Sequence, residues 1–418
     1  MPAERAEVLI VGAGPAGLAA ALALRRQGIG PVLVVDREPE AGGLPRLCHH
    51  TGFGLADLRR VYSGPTYARH YVRQAEQAGA ALRAATTITG WQTPSRLAYT
   101  SPNGLGEIEA RAVLLATGCR ERPRAARMVP GSRPAGVFTT GSLQRFVYEQ
   151  HLPVGRRAVI VGAEIVSLSA VMTLQHAKVP IARMVTELDH HQVYLPYLPM
   201  KWLLMDMLQR VPLTTRARVS RILGQKRVEA VELTNVDSGA VGTVACDTVI
   251  FTGEWIPEHE LARLGGLAMD PASRGPQTDG AFRTSARGVF AAGNVLRGSE
   301  TADISALEGR RAAAHIAGYL RRADGWPDHR VPVQVEPPLE WILPNVITDL
   351  ALPLPFGHFT FQAKAFTRSV RVSVQQGGRE LHNQAFGLLR PNVSMALGGG
   401  WIRQVDLDGG PVRVSVQA

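Results

Sequence analysis

Residues 7–36 read EVLIVGAGPAGLAAALALRRQGIGPVLVVD. Glu7–Val11 is apolar and β-prone, which predicts a buried strand. Gly17–Gln27 is rich in alanine and leucine and predicts a helix. Pro31–Asp36 predicts a second buried strand. Between the first strand and the helix stands Gly12-Ala-Gly14-Pro15-Ala16-Gly17, the fingerprint of a βαβ dinucleotide site. Gly12 permits the tight turn. Gly14 lets the backbone approach a pyrophosphate, and Gly17 lets helix and strand pack closely. The helix N-terminus offers free N–H groups and the positive end of its dipole to the phosphates. Asp36, 19 residues past Gly17, is placed to accept hydrogen bonds from an adenine ribose, with Arg37 beside it. A tight turn without a ligand is the bland alternative, and strand, helix and acid in register argue against it.

The rest of the chain bounds the answer. Its 418 residues allow two or three domains, and 45% hydrophobic residues suit a globular protein. The apolar run Val8–Val11 breaks at once into Gly-Ala-Gly-Pro, which argues against a signal peptide. No uninterrupted apolar run approaches the roughly 18–20 residues of a membrane span, so a cytoplasmic location is expected. The net charge is +11, with 46 Lys and Arg against 35 Asp and Glu. The basic residues are mostly scattered arginines, as in Arg120, Arg122, Arg124 and Arg127. No RNA-binding signature, zinc-finger spacing or basic zipper accompanies them, so no nucleic-acid partner is expected. The arginines at 120–127 read either as contacts to cofactor phosphates or as a solvated connection. The three cysteines are Cys48, Cys119 and Cys246, and none forms Cys-x-x-Cys. A disulfide framework and a thioredoxin-type dithiol are both disfavoured.

A second strand–turn–helix begins at Arg157 with RAVIVGAEIVSLSAVMTL. It weakly repeats the first and predicts a second nucleotide-binding-type domain. A long strand, Thr243–Phe251, is expected to close it. Residues 282–320 return to a strand followed by a helix. From about 331 the prolines cluster and alternating segments follow. Ser369–Val374 and Val412–Val416 read as strands, with Gly377-Gly378 as a hairpin turn. The expected fold is α/β: a split FAD domain (1–125 and 273–330), an inserted NAD(P)-type Rossmann-like domain (126–272) and a small β-rich C-terminal module (331–418).

Three further pieces favour FAD over NAD at the first site. Gly42-Gly43 supplies small residues where the chain would pass a cofactor. Ala116-Thr117-Gly118 ends a buried strand before the domain crossing. Gly293-Asn294 ends a later strand, where flavin enzymes usually carry an aspartate on the ribitol chain. Together with GGLPRLCHHTGFG (42–54), ATGCRERPR (116–124), PGSRPAGVFTTG (130–141), CDTVIFTGEWIPEHEL (246–261) and GVFAAGNVL (288–296), these make the chain resemble the pyridine nucleotide-disulfide oxidoreductase-like flavoproteins. The nearest group is the one found beside glycerol-3-phosphate-dehydrogenase-like proteins. The B subunit of hydrogen cyanide synthase, the A subunit of opine oxidase and the α subunit of sarcosine oxidase are more distant relatives. The resemblance implies a two-dinucleotide-domain flavoprotein with bound FAD.

The second glycine motif departs from that pattern. Where the family shows Gly-x-Gly-x-x-Gly, this chain has Gly162-Ala-Glu164-Ile-Val-Ser167. Glu164 puts bulk and negative charge where the backbone should approach a pyrophosphate, and Ser167 replaces the packing glycine. Glu187 remains available for a ribose. NAD(P) is therefore left open but disfavoured. Cys48 and His50 match the family's Cys-x-His, which implies a place near the flavin for substrate orientation or proton movement. A merely packed loop is the alternative reading. His190-His191 reads as a solvated turn, and no metal site is expected. The apolar stretch Val193–Leu208 reads as core or as a partner-binding patch.

The expected function is a FAD-dependent oxidoreductase of undetermined substrate. The first form is an electron-transferring subunit whose partner subunit oxidises an amine, amino acid or hydroxy acid, in a hetero-oligomer. The alternatives are a self-sufficient NAD(P)H-dependent oxidoreductase acting on a small molecule, or a scaffold with structural FAD.

Overall fold

A computed structural model describes residues 3–194, 197–208, 210–298, 300–322 and 326–417. The chain divides into two compact units. One collects Met1–Arg46, Thr51–Arg120 and Ile256–Ala418, and the other collects Leu47–His50 and Glu121–Trp255. The crossings at 120/121 and 255/256 precede the expected 125/126 and 272/273. Residues just after 255 are held by the first unit. Trp91 Nε1 donates to Leu261 O at 2.8 Å, and the Thr117 hydroxyl donates to Glu258 O at 2.7 Å.

The first unit opens with β1 (Glu4–Val11), α1 (Pro15–Arg26), β2 (Val32–Val35) and, later, β3 (Gly104–Leu115). β1 lies between β2 and β3, and both pairs run parallel. Val8, Leu9 and Ile10 are wholly buried, as a strand covered on both faces must be. Pro15 occupies the first turn of α1, where its missing N–H costs nothing. The alanines at 19–21 then bring the helix close to the sheet. An antiparallel ribbon, Thr87–Thr93 with Arg96–Ser101, extends the sheet beyond β3.

The second unit repeats the plan with β4 (Ala158–Val161), α2 (Ile165–His176), β5 (Ile181–Val185) and β6 (Thr248–Phe251). Its five-stranded parallel sheet runs Val137–Thr139, β6, β4, β5, Leu213–Thr214. The single long strand expected at 243–251 is in fact two. Val241–Ala245 belongs to a three-stranded antiparallel sheet with 217–223 and 230–235, while β6 joins the parallel sheet. The break falls at Cys246-Asp247. Asp247 leaves the strand because its carboxylate accepts the N–H groups of Arg156 and Arg157 and the Thr248 hydroxyl, all at 2.9 Å.

The chain then completes the first unit. β7 (Val289–Ala291) pairs in parallel with β3, and α3 (Ala302–Arg322) follows. α3 lies so close to the start of α1 that a Cβ on Gly309 would stand 2.0 Å from Ala16 O. The C-terminal module is β-rich, as expected. Its two sheets run 346–347, 331–335, 412–417, 367–376, 379–389 and 339–343, 358–363, 395–398. Between them lie Phe359, Phe361, Val372, Val374 and Trp401, with Phe359 stacked on Trp401 at 4.8 Å. The hairpin turns at Gly377-Gly378 as read from sequence. The Gln384 amide joins the sheets: it donates to Ala396 O and accepts from Gly398 N at 2.9 Å.

Two glycines of one helix behave differently. Gly309→Ala forces backbone apart and is expected to lower stability by about 1–3 kcal/mol. Gly318→Ala, whose added Cβ meets nothing within 4 Å, should be neutral or stabilising by about 0.4–1 kcal/mol. Urea midpoints of the two variants check this, and equal shifts would contradict the packing described.

Candidate dinucleotide site

The loop from Gly12 to Gly17 is fixed on three sides. Gly12 N donates to Val35 O at 2.8 Å, Ala13 N donates to Asp36 Oδ2 at 2.7 Å, and Ala13 O accepts from Gly42 N at 2.8 Å. A Cβ at Gly12 would lie 2.3 Å from Ala116 O, and one at Gly17 would lie 1.9 Å from Gly12 O. Both glycines are thus required by the polypeptide itself. Gly14 differs, because a Cβ there meets nothing within 4 Å. It faces open space at the head of a helix that has no side-chain cap. That combination fits a phosphate-bearing ligand. The Asp36 carboxylate also accepts Glu38 N at 2.9 Å. Burial pushes its pKa up, and the two backbone donors oppose the shift.

The other residues singled out from sequence surround this loop in the first unit. A Cβ on Gly43 would come 2.8 Å from Gly14 Cα, so the Gly42-Gly43 segment rests directly on the loop. Arg37 makes a forked pair with Glu258 at 3.2 and 3.3 Å. Ala116 N donates to Val11 O, and Gly118 O accepts from Glu258 N at 2.9 Å. Ala16 is buried, and a Cβ on Gly293 would stand 2.8 Å from its Cβ. Asn294 accepts Glu300 N at 2.9 Å and the Ser305 hydroxyl at 3.2 Å, and donates to Glu300 O at 3.2 Å. Its amide holds the turn into α3.

Sequence reasoning passed over the group that anchors Gly293. Its N–H donates to Glu308 Oε2 at 3.0 Å, and Glu308 Oε1 pairs with Arg297 at 2.8 Å, both side chains buried. Glu308, one of two acids in the alanine-rich α3, was the available signal.

The loop from Gly162 to Ser167 in the second unit repeats two of these three supports. Gly162 N donates to Val185 O at 2.8 Å, and Ala163 O accepts from Gln192 N at 2.9 Å. The Glu164 side chain is buried and turns back over the loop. Its Oε2 lies 2.8 Å from where a Gly162 Cβ would be, and its Oε1 lies 2.9 Å from the Gly253 Cβ position. Burial pushes its pKa up, against the opposing Thr252 hydroxyl. Ser167 is wholly buried, and its hydroxyl donates to Glu164 O at 2.5 Å. Glu187 is exposed just past β5.

Leu47–His50 belongs to the second unit. Cys48 Sγ lies 3.8 Å from Gln144 Oε1, and burial pushes its thiol pKa up to about 12. His49 stacks on Tyr148 at 4.1 Å, and His50 Nε2 shares a 2.7 Å hydrogen bond with Ser169 Oγ. Adjacent residues of one short segment therefore engage three different partners.

The arginines of 120–127 are engaged within the protein. Arg120 pairs with Glu258 and Glu260, Arg122 and Arg127 pair with Glu254, and Arg124 donates to the carbonyls of Val129, Pro130 and Ser132. His190 is exposed beside Asp189 at 2.9 Å. Among the described residues no cluster of three His, Cys, Asp or Glu is arranged to hold a metal. No helix among them is long and apolar enough to cross a membrane. In the 193–208 stretch Val193 and Met205 are buried while Trp202, Leu203 and Met207 are exposed. Residues 195 and 196 of that stretch lie outside the described residues.

Known proteins are similar to this chain in sequence and fold. The family model described as pyridine nucleotide-disulphide oxidoreductase matches residues 6–309. The A subunit of opine oxidase from Agrobacterium tumefaciens is 27% identical, over 75% of this chain and 66% of its own length. Thioredoxin reductase of Treponema pallidum is 26% identical, over 74% of this chain and 95% of that enzyme. The crystal structure of T. acidophilum thioredoxin reductase superposes with a TM-score of 0.62 at 20% identity, covering 75% of this chain and 98% of its own. At that identity the likeness establishes the fold, a two-domain α/β flavoprotein architecture. With the family match running from Ala6 to Gly309, the chain belongs to the pyridine nucleotide-disulphide oxidoreductases, a family of FAD-dependent oxidoreductases.

Proposed function

We infer that this chain is the FAD-carrying, electron-transferring subunit of a multi-subunit dehydrogenase for an amine, an amino acid or a hydroxy acid. The observation that carries the reading is that one chain combines an open glycine loop at Gly14 with three cysteines none of which forms Cys-x-x-Cys. A disulfide reductase needs a pair of thiols, and Cys48, Cys119 and Cys246 stand far apart in the sequence. The name of the Agrobacterium relative, one subunit of opine oxidase, supports a partner subunit and a hetero-oligomer. The same reading places the protein in the cytoplasm.

In this reading the Gly12–Gly17 loop and the head of α1 hold the diphosphate, and Asp36 takes the adenine ribose. Gly42-Gly43, Ala116–Gly118 and Gly293-Asn294 shape the remaining wall. Bound FAD supplies two-electron redox chemistry. His50 is assigned the movement of a proton, since imidazole suits that task near neutral pH. The Ser169 hydroxyl fixes its ring at Nε2. Cys48 is assigned no thiolate chemistry.

The purified protein should be yellow and release FAD, not FMN, on denaturation. Gly14→Glu should give colourless protein with an unchanged circular dichroism spectrum, because a Cβ at Gly14 meets nothing within 4 Å. Full flavin content in that variant would place the cofactor elsewhere.

The Cys48 thiol should react slowly with iodoacetamide up to pH 9, where an ordinary thiol of pKa about 8.5 is mostly ionised. Cys48→Ser should leave flavin reduction unchanged. His50→Ala should keep FAD but slow reduction by the donor and its partner about 10²–10⁴-fold. Unchanged rates in His50→Ala would return the segment to a packing role.

Anaerobic mixing with NADH or NADPH should leave the flavin oxidised, while a co-purifying subunit with its substrate should bleach it. Rapid bleaching by a nicotinamide alone would instead favour a self-sufficient reductase.

A further inference from the structure

We propose that Glu164 is a built-in occupant of the second dinucleotide cradle, its carboxyl standing where a pyrophosphate would bind and keeping pyridine nucleotides out. The argument rests on a comparison of two loops within one chain. Each has a glycine N–H donating at 2.8 Å to the end of the neighbouring strand, Gly12 to Val35 and Gly162 to Val185. Each is tied to the strand on the other side, Ala116 N to Val11 O at 2.8 Å and Thr252 N to Val161 O at 2.9 Å. Each has its second residue tied to the chain that follows the next strand, Ala13 O to Gly42 N and Ala163 O to Gln192 N. The residue capping the helix has φ −84° and ψ −173° at Gly14, and φ −94° and ψ −176° at Glu164. The two backbones are alike at every one of these points.

What differs is the content of the space above them. Over Gly14 a Cβ meets nothing within 4 Å. Over the second loop the Glu164 carboxyl lies between the turns at Gly162 and Gly253, which follow the adjacent strands β4 and β6. In an open α/β sheet that crevice, beyond the carboxyl ends of the central strands, is where a dinucleotide sits. The carboxyl also faces the backbone N–H groups of Ala163 and Glu164, donors of the kind a phosphate would use. A second buried carboxyl, Glu121, lies within electrostatic reach, which further disfavours an anion. Arg127, the nearby cation, is committed to Glu254 and to the carbonyls of Arg122, Thr252 and Gly253. The residues of this loop therefore do not fit NAD(P), although the sheet and helix around it are kept. Because the backbone at Glu164 is extended, any residue can stand there, and the occupant can be exchanged without strain.

The inference rests on the second loop alone, so it stands or falls separately from the flavin assignment at the first. Its test is calorimetric titration of NADH and NADPH into the full-length protein, with flavin content recorded for every variant. The unmodified protein should bind neither at millimolar concentration. Glu164→Gly, alone or with Ser167→Gly, should bind at least tenfold more tightly, and NADH should then raise its melting temperature. Glu164→Gln keeps the bulk without the charge and should remain closed. Glu164→Ala is the second opening variant should the glycine form fold poorly. Micromolar binding by the unmodified protein, no gain in either opening variant, or equal gain in Glu164→Gln and Glu164→Gly would each overturn the proposal. Colourless protein that still shows this pattern would refute the flavin assignment alone.

Discussion

Ala16 is held from behind by parts of the chain nearly three hundred residues away, and the first glycine loop depends on that grip. Its carbonyl abuts the backbone position of Gly309, and its methyl abuts that of Gly293. Gly293 is in turn tied to Glu308, which is paired with Arg297 beneath the Trp341 ring at 5.6 Å. Removing one member of a buried ion pair typically costs about 3–5 kcal/mol, because the other charge is left without a partner. The pair therefore does more than join two helices. It sets the height of α3 against α1, and so the position of the helix head that faces the open space over Gly14. The C-terminal module contributes through Trp341, which belongs to the same core as α1 and β1.

The parts legible in the sequence are those where local chemistry and tertiary role coincide. Gly17 and Asp36 each serve a neighbour within one βαβ unit, Gly12 O and Ala13 N, so their spacing carries the whole message. The hairpin at Gly377-Gly378 is similar, since a tight turn between alternating strands is a local matter. The break at Cys246-Asp247 is not local. Asp247 turns out of the strand to take N–H groups at Arg156 and Arg157, and nothing in the alternation of 243–251 records them. The crossing after 255 is hidden for the same reason, because the contact that holds the 260–264 helix is made with Trp91. Within Cys48–His50 the three side chains find Gln144, Tyr148 and Ser169, partners that no spacing within the segment foretells. Glu164 was legible as an exception to a motif. Its direction, back over the loop, was not, since an extended backbone permits several side-chain rotamers.

The two loops show how one backbone frame supports opposite outcomes. Most of the hydrogen bonds that shape each loop are made by main-chain groups, so they survive exchange of the side chain at the cap position. What decides whether the space above is open is a single residue whose backbone angles are ordinary. A frame of this kind can lose a ligand without losing its fold. The glycines at 12 and 17 lack that freedom, because their missing Cβ atoms are displaced by backbone.

The interrupted layout of the first unit has a consequence for biosynthesis. At roughly 5–20 residues per second, Gly309 is made about 15–60 s after Ala16. During that interval β3 waits without its neighbour β7, and the head of α1 has nothing behind it. The second unit is drawn almost wholly from Glu121–Trp255, with only the short piece Leu47–His50 made earlier. All its strands and helices have left the ribosome while the first unit still lacks α3. The inserted body is thus complete before the frame into which it is inserted, and the nascent chain must carry an unfinished flavin-type half through the synthesis of a finished one.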